Sequence, residues 1–208
     1  MAFRLISGVE IPDQWRDYST QQADEFEIVH RPLWDTQTYV DNTSTLLNFF
    51  ASSQANAGLG NEVMPLKNSF LVCAIGVYFK DGAQSDNIPA DGSAYASKFN
   101  DHVLLTNTGI LNITIGAKNY GPFPLWKLLP GAGVWGLMAS GGTPLGTGIN
   151  YSQMGLPTPE AMFKLAIPLV IPQNTQTVLT MQWAAAVNLT GNSTICLILD
   201  GKEARPLQ

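Results

Sequence analysis

Two histidines are the first residues in this 208-residue chain with the chemistry for catalysis. His30 stands beside Glu27 and Arg31, and His102 follows Asp101, so each has a carboxylate close in sequence that could orient it as a base. A hydrolytic site also needs a nucleophile on a tight turn, and a metal site needs a second ligand at helical or strand spacing. Neither pattern accompanies His30 or His102, and both are expected to make ordinary hydrogen bonds. Asp81, Asp86, Asp91 and Asp101 fall in or beside one polar loop, and oxygen ligands on a flexible loop suit calcium. Their spacing does not follow the calcium loop of paired helices. Asp81, Asp86 and Asp91 are therefore calcium candidates without a motif, and the expectation is that no cofactor is needed. Glu160, Asp200 and Glu203 could supply two carboxylates for sugar hydrolysis if the fold brought them together, but spacing selects no pair. The glycines of residues 131–148 lack the Lys-Ser/Thr ending of a phosphate loop. No catalytic constellation emerges, and the chain is read as a non-enzyme.

Composition narrows the classes further. Hydrophobic residues make up 45%, an ordinary value, while charged residues make up only 13%, about half the usual share. Asn, Thr, Ser, Gln and Gly take their place, and such a surface gives little repulsion between copies. The net charge is −5 and no basic cluster exists, which argues against direct nucleic-acid binding. Residues 70–79 (FLVCAIGVYF) are the longest strongly apolar run, far below the ~20 residues of a membrane span. The first residues, MAFRLISGVEIPDQW, lack the continuous apolar core of a secretory leader. Cys73 and Cys196 both sit in strand-like runs and are expected to be buried free thiols; a disulfide between distant strands stays open on sequence alone.

The elements that would position these residues are mainly strands. Residues 1–35 are irregular, interrupted by Pro12 and Pro32, and carry Trp15, Tyr18, Phe26 and Trp34 among polar neighbours. This pattern predicts an extended N-terminal arm whose aromatics anchor it on the domain or on a partner. Residues 36–208 are expected to form a single domain. Residues 38–50 and 67–80 contain β-formers, the second run ending at an Asp-Gly turn. Residues 83–101 read as a polar loop with one helical turn at residues 94–99. Residues 102–121 suggest two short strands either side of Asn107, Thr108 and Gly109. In the second, Leu111, Ile113 and Ile115 alternate with Asn112 and Thr114, the period of a strand with one buried face. After a Gly/Pro loop over residues 139–159, three strands are expected at 161–171, 177–187 and 193–200, separated by polar turns. Pro168 and Pro172 bracket LVI, so that strand should be short, bulged or at an edge. No convincing helical stripe, internal repeat or composition break is visible. About eight strands with irregular connections predict an all-β sandwich or closed barrel.

Residues 115–135 (IGAKNYGPFPLWKLLPGAGVW) form an apolar ribbon rich in Gly, Pro and aromatics. Asn119, Tyr120 and Gly121 read as a turn, and Pro122 and Pro124 stiffen the path beyond it, so the segment loses little entropy on docking. Phe123, Leu125, Trp126 and Trp135 either cap the domain's own core or bury against another subunit.

The block IGAKNYGPFPLWKLLPGAGV, together with the later KLAIPLVIPQNTQTVLTMQW, resembles the single jelly-roll major capsid proteins of tailless, membrane-containing icosahedral phages and haloarchaeal viruses. Residues 36–202 are spanned by this likeness. It implies a jelly-roll sandwich of about eight strands with an N-terminal arm beneath it, and a coat subunit that self-assembles into an icosahedral virion shell. Trp15, Tyr18, Phe26, Trp34, Phe123, Leu125, Trp126 and Trp135 would then be subunit-interface residues. The implied partners are further copies, a second capsid protein and an internal membrane. The rival readings are a carbohydrate-binding module or lectin, with Trp126 or Trp135 stacking on sugar, and a β-sandwich glycan hydrolase; sandwiches host all three.

Overall fold

A computed structural model describes residues 3–6, 9–12, 26–51, 68–79, 93–130, 135–138, 150–153 and 161–206. In chain order these hold β1 (Phe3–Ile6), β2 (Val9–Pro12), β3 (Phe26–His30), β4 (Leu33–Tyr39), β5 (Leu46–Phe49), β6 (Ser69–Phe79) and α1 (Ser93–Thr108). After α1 come β7 (Gly109–Ile115), β8 (Lys118–Pro124), α2 (Leu125–Leu128), β9 (Trp135–Met138), β10 (Asn150–Gln153), β11 (Phe163–Ile171), β12 (Thr177–Trp183) and β13 (Ser193–Pro206). β1 pairs with β2 and β9 with β10 as separate antiparallel ladders.

The body consists of two antiparallel sheets. One runs β11-β6-β13, with β4 beside the first half of β13 and β3 beside its second half. The other runs β5-β12-β7-β8. Taking β4, β5, β6, β7, β8, β11, β12 and β13 as the first to eighth strands, the orders are first-eighth-third-sixth and second-seventh-fourth-fifth. Successive strands mostly alternate between sheets, so the chain wraps around the sandwich as a jelly roll. Leu33, Ile75, Val77, Ile195, Leu197 and Leu199 from one sheet meet Leu47, Phe49, Leu111, Ile113, Leu179 and Met181 from the other in one continuous core.

Alternation is kept through irregular points. β3 and β4 form one sheet edge interrupted at Arg31 and Pro32; Arg31 N–H still donates to Gly201 O at 3.1 Å. Beside it, the β13–β6 register shifts between Asp200 and Gly201, where Ala74 and Val72 are successive partners and Cys73 has none. The shift lets Phe70 and Val72 face inward as Ile75, Val77 and Phe79 do, although their parity differs. Position 201 must be glycine: a Cβ there would meet Leu71 O at 2.0 Å. Among the described residues β11 pairs only with β6, and it is irregular between Lys164 and Leu169, so Pro168 occupies a bulged edge strand, as its missing donor requires.

Three sequence expectations are corrected. The sheet takes in residues 26–39, so Phe26 and Trp34 belong to the sandwich and not to an arm ending at residue 35. Residues 102–108 are helical, not a strand: α1 buries Asp101, His102, Leu105 and Thr106, the i, i+1, i+4, i+5 face of a helix. Three of those four side chains are polar, which hid the stripe. Asn119, Tyr120 and Gly121 lie within β8, and the turn falls at Gly116, whose φ is +57°.

Gly201→Ala is expected to lower stability by about 3 kcal/mol, the upper end of the overpacking range, because backbone rather than a flexible side chain blocks the new methyl. Urea unfolding checks this; an unchanged midpoint would contradict the bulge geometry.

Candidate assembly surface

The carboxylates available for chemistry are mostly committed to holding loops. Asp35 is buried on β4 and accepts N–H groups from Phe50 at 2.7 Å and Thr36 at 2.7 Å, and the Gln37 amide at 3.0 Å. It thereby holds Phe50 at a φ of +61°, a conformation unfavourable for so bulky a residue. Asp101, 1% exposed on α1, accepts the Thr190 N–H at 3.0 Å and its hydroxyl at 2.6 Å. Glu203, 1% exposed, accepts Arg31 Nη1 and Asn68 Nδ2, each at 2.8 Å. Each is a buried charge satisfied by several donors, the condition under which such burial is tolerated.

Among the described residues the sequence-predicted candidates do not converge. Asp200 and Glu203 lie on opposite faces of β13: Asp200 meets His30 Nε2 at 2.8 Å outside, while Glu203 binds Arg31 inside. They therefore do not form a catalytic pair. His102 is buried and stacks on Phe79, ring centroids 4.5 Å apart. Glu160, Asp81, Asp86 and Asp91 lie outside the described residues, among which no group of three metal-ligating side chains occurs.

The two sheets differ on their outer faces. The β11-β6-β13-β3 face carries Lys164, Asp200, Lys202 and His30. The register of the other sheet sets three outward rows: Leu46, Gln182 and Ile110; Asn48, Thr180 and Asn112; Val178 and Thr114. None of these eight side chains is charged. Asn112 Nδ2 donates to Gln182 Oε1 at 3.0 Å across the strands. At one end, Thr45, Leu46, Thr108, Ile110, Gln182, Trp183 and Ala184 line an open concavity. Strand spacing and rise make the face about 14 Å by 14 Å.

The expected interface residues divide sharply. Trp126 projects from α2 with 58% of its surface exposed, and Ile167 on β11 is 61% exposed. Phe123 is half-buried and packs edge-on against Phe163, centroids 6.3 Å apart. Trp34 is half-buried against the core. Leu125, expected at an interface, is a correction: it is fully buried in the core of the sandwich with Leu128. Trp135 begins β9 and Phe26 begins β3, opposite Pro206. Trp15 and Tyr18 lie outside the described residues. Sequence reading missed Ile167, Leu46 and the uncharged face, which become visible only once register shows which residues share a side.

Both cysteines are free thiols. Cys196 lies opposite Tyr78, and Cys73 is five positions along β6, or about 16 Å of strand, too far for a disulfide. Burial pushes the Cys73 thiol above its usual range, with Asp200 adding to the rise and Lys202 opposing it. Burial also raises the Tyr78 phenol, helped by Cys196 and Asp200.

Comparison of the chain with known protein families, curated proteins and solved structures finds no match.

A raised thiol pKa keeps Cys73 protonated, and therefore unreactive, at neutral pH. Alkylation of the native protein should be slow at pH 7.5 and accelerate with rising pH beyond the usual thiol range, while buried Cys196 reacts only on unfolding. Rapid labelling of Cys73 at pH 7 would contradict the assigned environment.

Proposed function

We propose that this chain is a structural coat subunit that assembles with copies of itself into a closed icosahedral shell, the capsid of a virion. The uncharged outer face of β5-β12-β7 carries the reading. A face of Thr, Asn, Gln, Leu, Ile and Val can be buried against another subunit without desolvating an ion. Jelly rolls serve in viral shells as well as lectins, so the fold is compatible with the reading without deciding it. The exposed edges support it too. β8 carries Pro122 and Pro124, and β11 carries Pro168, which limits uncontrolled strand pairing between copies. The face covers only about a quarter of the ~800 Å² per partner that a stable interface buries. Further contacts must contribute, and Trp126 and Ile167 are available for them. On this reading the chain performs no reaction, binds no nucleic acid directly and requires no metal; a second coat protein and an enclosed membrane are the further partners.

A second reading, glycan binding, draws support from Trp126, whose exposed indole could stack on a sugar ring. It predicts a monomer or small oligomer retained on a glycan array.

Light scattering and negative-stain imaging of the purified protein across salt concentrations should reveal rings, capsomers or shells. The pair Asn112→Lys and Thr180→Lys places two charges in the middle of the uncharged face. It should abolish assembly while leaving the melting temperature within a few degrees. A monomer at high concentration that binds glycans would replace the coat reading with the second one.

A further inference from the structure

One end of the uncharged face holds a hollow and, close to it, a projection. Thr45, Leu46, Ile110, Gln182 and Ala184 are among the walls of an open concavity of about 530 Å³, and no described residue lining it is charged. Trp183, which also lines it, has its own indole N–H committed to the Leu105 carbonyl at 3.0 Å. Gln182 Oε1 accepts one bond, from Asn112, and keeps a second lone pair. Spare acceptors beside apolar walls suit an aromatic side chain that carries a single N–H donor. Trp126 is such a group, and at 58% exposure it is the largest exposed apolar side chain described. Its helix is pinned: Leu125 and Leu128 are fully buried, which holds Trp126 outward before any partner arrives. Pro124, the last residue of β8, pairs with Ile110 of the concavity wall. One strand spacing and two Cα steps therefore put the Trp126 backbone within about 13 Å of that wall. The indole is nevertheless not among the walls of its own concavity.

We infer that Trp126 of each copy enters the concavity of a second copy, which makes this end of the uncharged face a two-fold interface. A hollow and a projection this close together satisfy each other twice when a two-fold axis runs between the copies, and the pair is then closed. Insertion into the concavity of the same chain is barred because α2 is anchored by its two buried leucines. The contact desolvates no ion. Lys127, the residue after Trp126, is turned toward the other sheet, with Nζ 5.2 Å from the Phe163 ring centroid. Trp is favoured as the central anchor of an interface when near-neutral neighbours exclude water around it, and Leu46, Ile110, Asn112 and Thr180 are neighbours of that kind. The face and the indole together bury about 400 Å² per copy, about half of what a stable interface needs. A dimer held by this contact alone therefore forms only at high protein concentration, and a shell needs it alongside others. The inference names the partner of the uncharged face and rests on the coat reading for its biological setting, although the contact itself is tested separately.

Sedimentation velocity of the full chain over a wide concentration range tests the contact. Wild-type protein should dimerise, and raising salt should not weaken the dimer, since no ion pair contributes to it. Trp126→Ala and Ala184→Arg, both at exposed positions, should each weaken dimerisation by at least about tenfold with circular dichroism unchanged. Mixed in equal amounts, the two variants should associate more tightly than either does alone. The Ala184→Arg chain then supplies its Trp126 to the open concavity of the Trp126→Ala chain. A wild type that stays monomeric at the highest concentration would overturn the inference, as would an unchanged Trp126→Ala dimer or a mixture no tighter than its components. Retention of a monomeric protein on a glycan array, lost in Trp126→Ala, would overturn it in favour of sugar stacking. A dimer lost in Trp126→Ala, from a protein that never forms capsomers or shells, would uphold this contact and sink the coat reading. Shells formed as well by Trp126→Ala as by wild type would do the reverse.

Discussion

The antiparallel ladder of β13 is the constraint on which the sandwich depends. This 14-residue strand lies between β6 on one side and the β4 and β3 edge on the other. It joins the first strands of the body to the last, and without it β4 would have no partner among the described strands. The demand for a long, continuous ladder explains local departures from ideal geometry. Cys73 is left unpaired, Gly201 sits against the Leu71 carbonyl, and Pro32 interrupts the edge where β3 passes into β4. Each allows β13 to keep pairing while inward side chains remain inward.

A second layer of organisation comes from polar groups placed where loops meet the core. Tyr39 and Trp183 pack edge-on with centroids 4.8 Å apart. The Tyr39 hydroxyl accepts the Val187 N–H at 2.7 Å, and Trp183 Nε1 donates to the Leu105 carbonyl at 3.0 Å. One aromatic pair therefore ties β4, β12, the end of α1 and the loop after β12 together. Asp101 reaches the same loop from α1, and Asp41 accepts the Leu189 N–H at 2.6 Å. The few charges this sequence retains inside its fold are spent on loop geometry, and that leaves one whole sheet face without any.

Much of this architecture was legible in residue pattern. Alternation in Leu111, Ile113 and Ile115 marked β7, the three late strands fell close to their expected places, and Pro168 marked a bulged edge. The misses have physical causes. α1 hides because its inward face is mainly Asp101, His102 and Thr106, whose burial depends on hydrogen bonds and stacking supplied by distant residues. β8 was mistaken for a turn because Asn-Tyr-Gly is turn-like locally, whereas pairing with β7 overrides that preference. For the candidate surface, the pattern left Leu125 and Trp126 alike between core and interface, and the structure separates them, Leu125 inside and Trp126 out. Adjacent residues of a four-residue helix point in different directions, and sequence alone does not say which way the helix is rolled. The uncharged face was invisible for a similar reason: its members come from three strands and become neighbours only through register.

The position of β13 also governs when the domain can form. Of the eight body strands it is synthesised last, yet it supplies the partner for the first, a pairing that spans most of the described chain. Such non-local contacts make folding slow, because loop closure must precede the reward from burial. Until β13 inserts, the edges of β4 and β6 that it will occupy are both open, and an incomplete domain presents hydrogen-bonding groups that invite indiscriminate pairing. Insertion of this strand thus closes two adhesive backbone edges at once, and leaves outer edges on which Pro122, Pro124 and Pro168 stand.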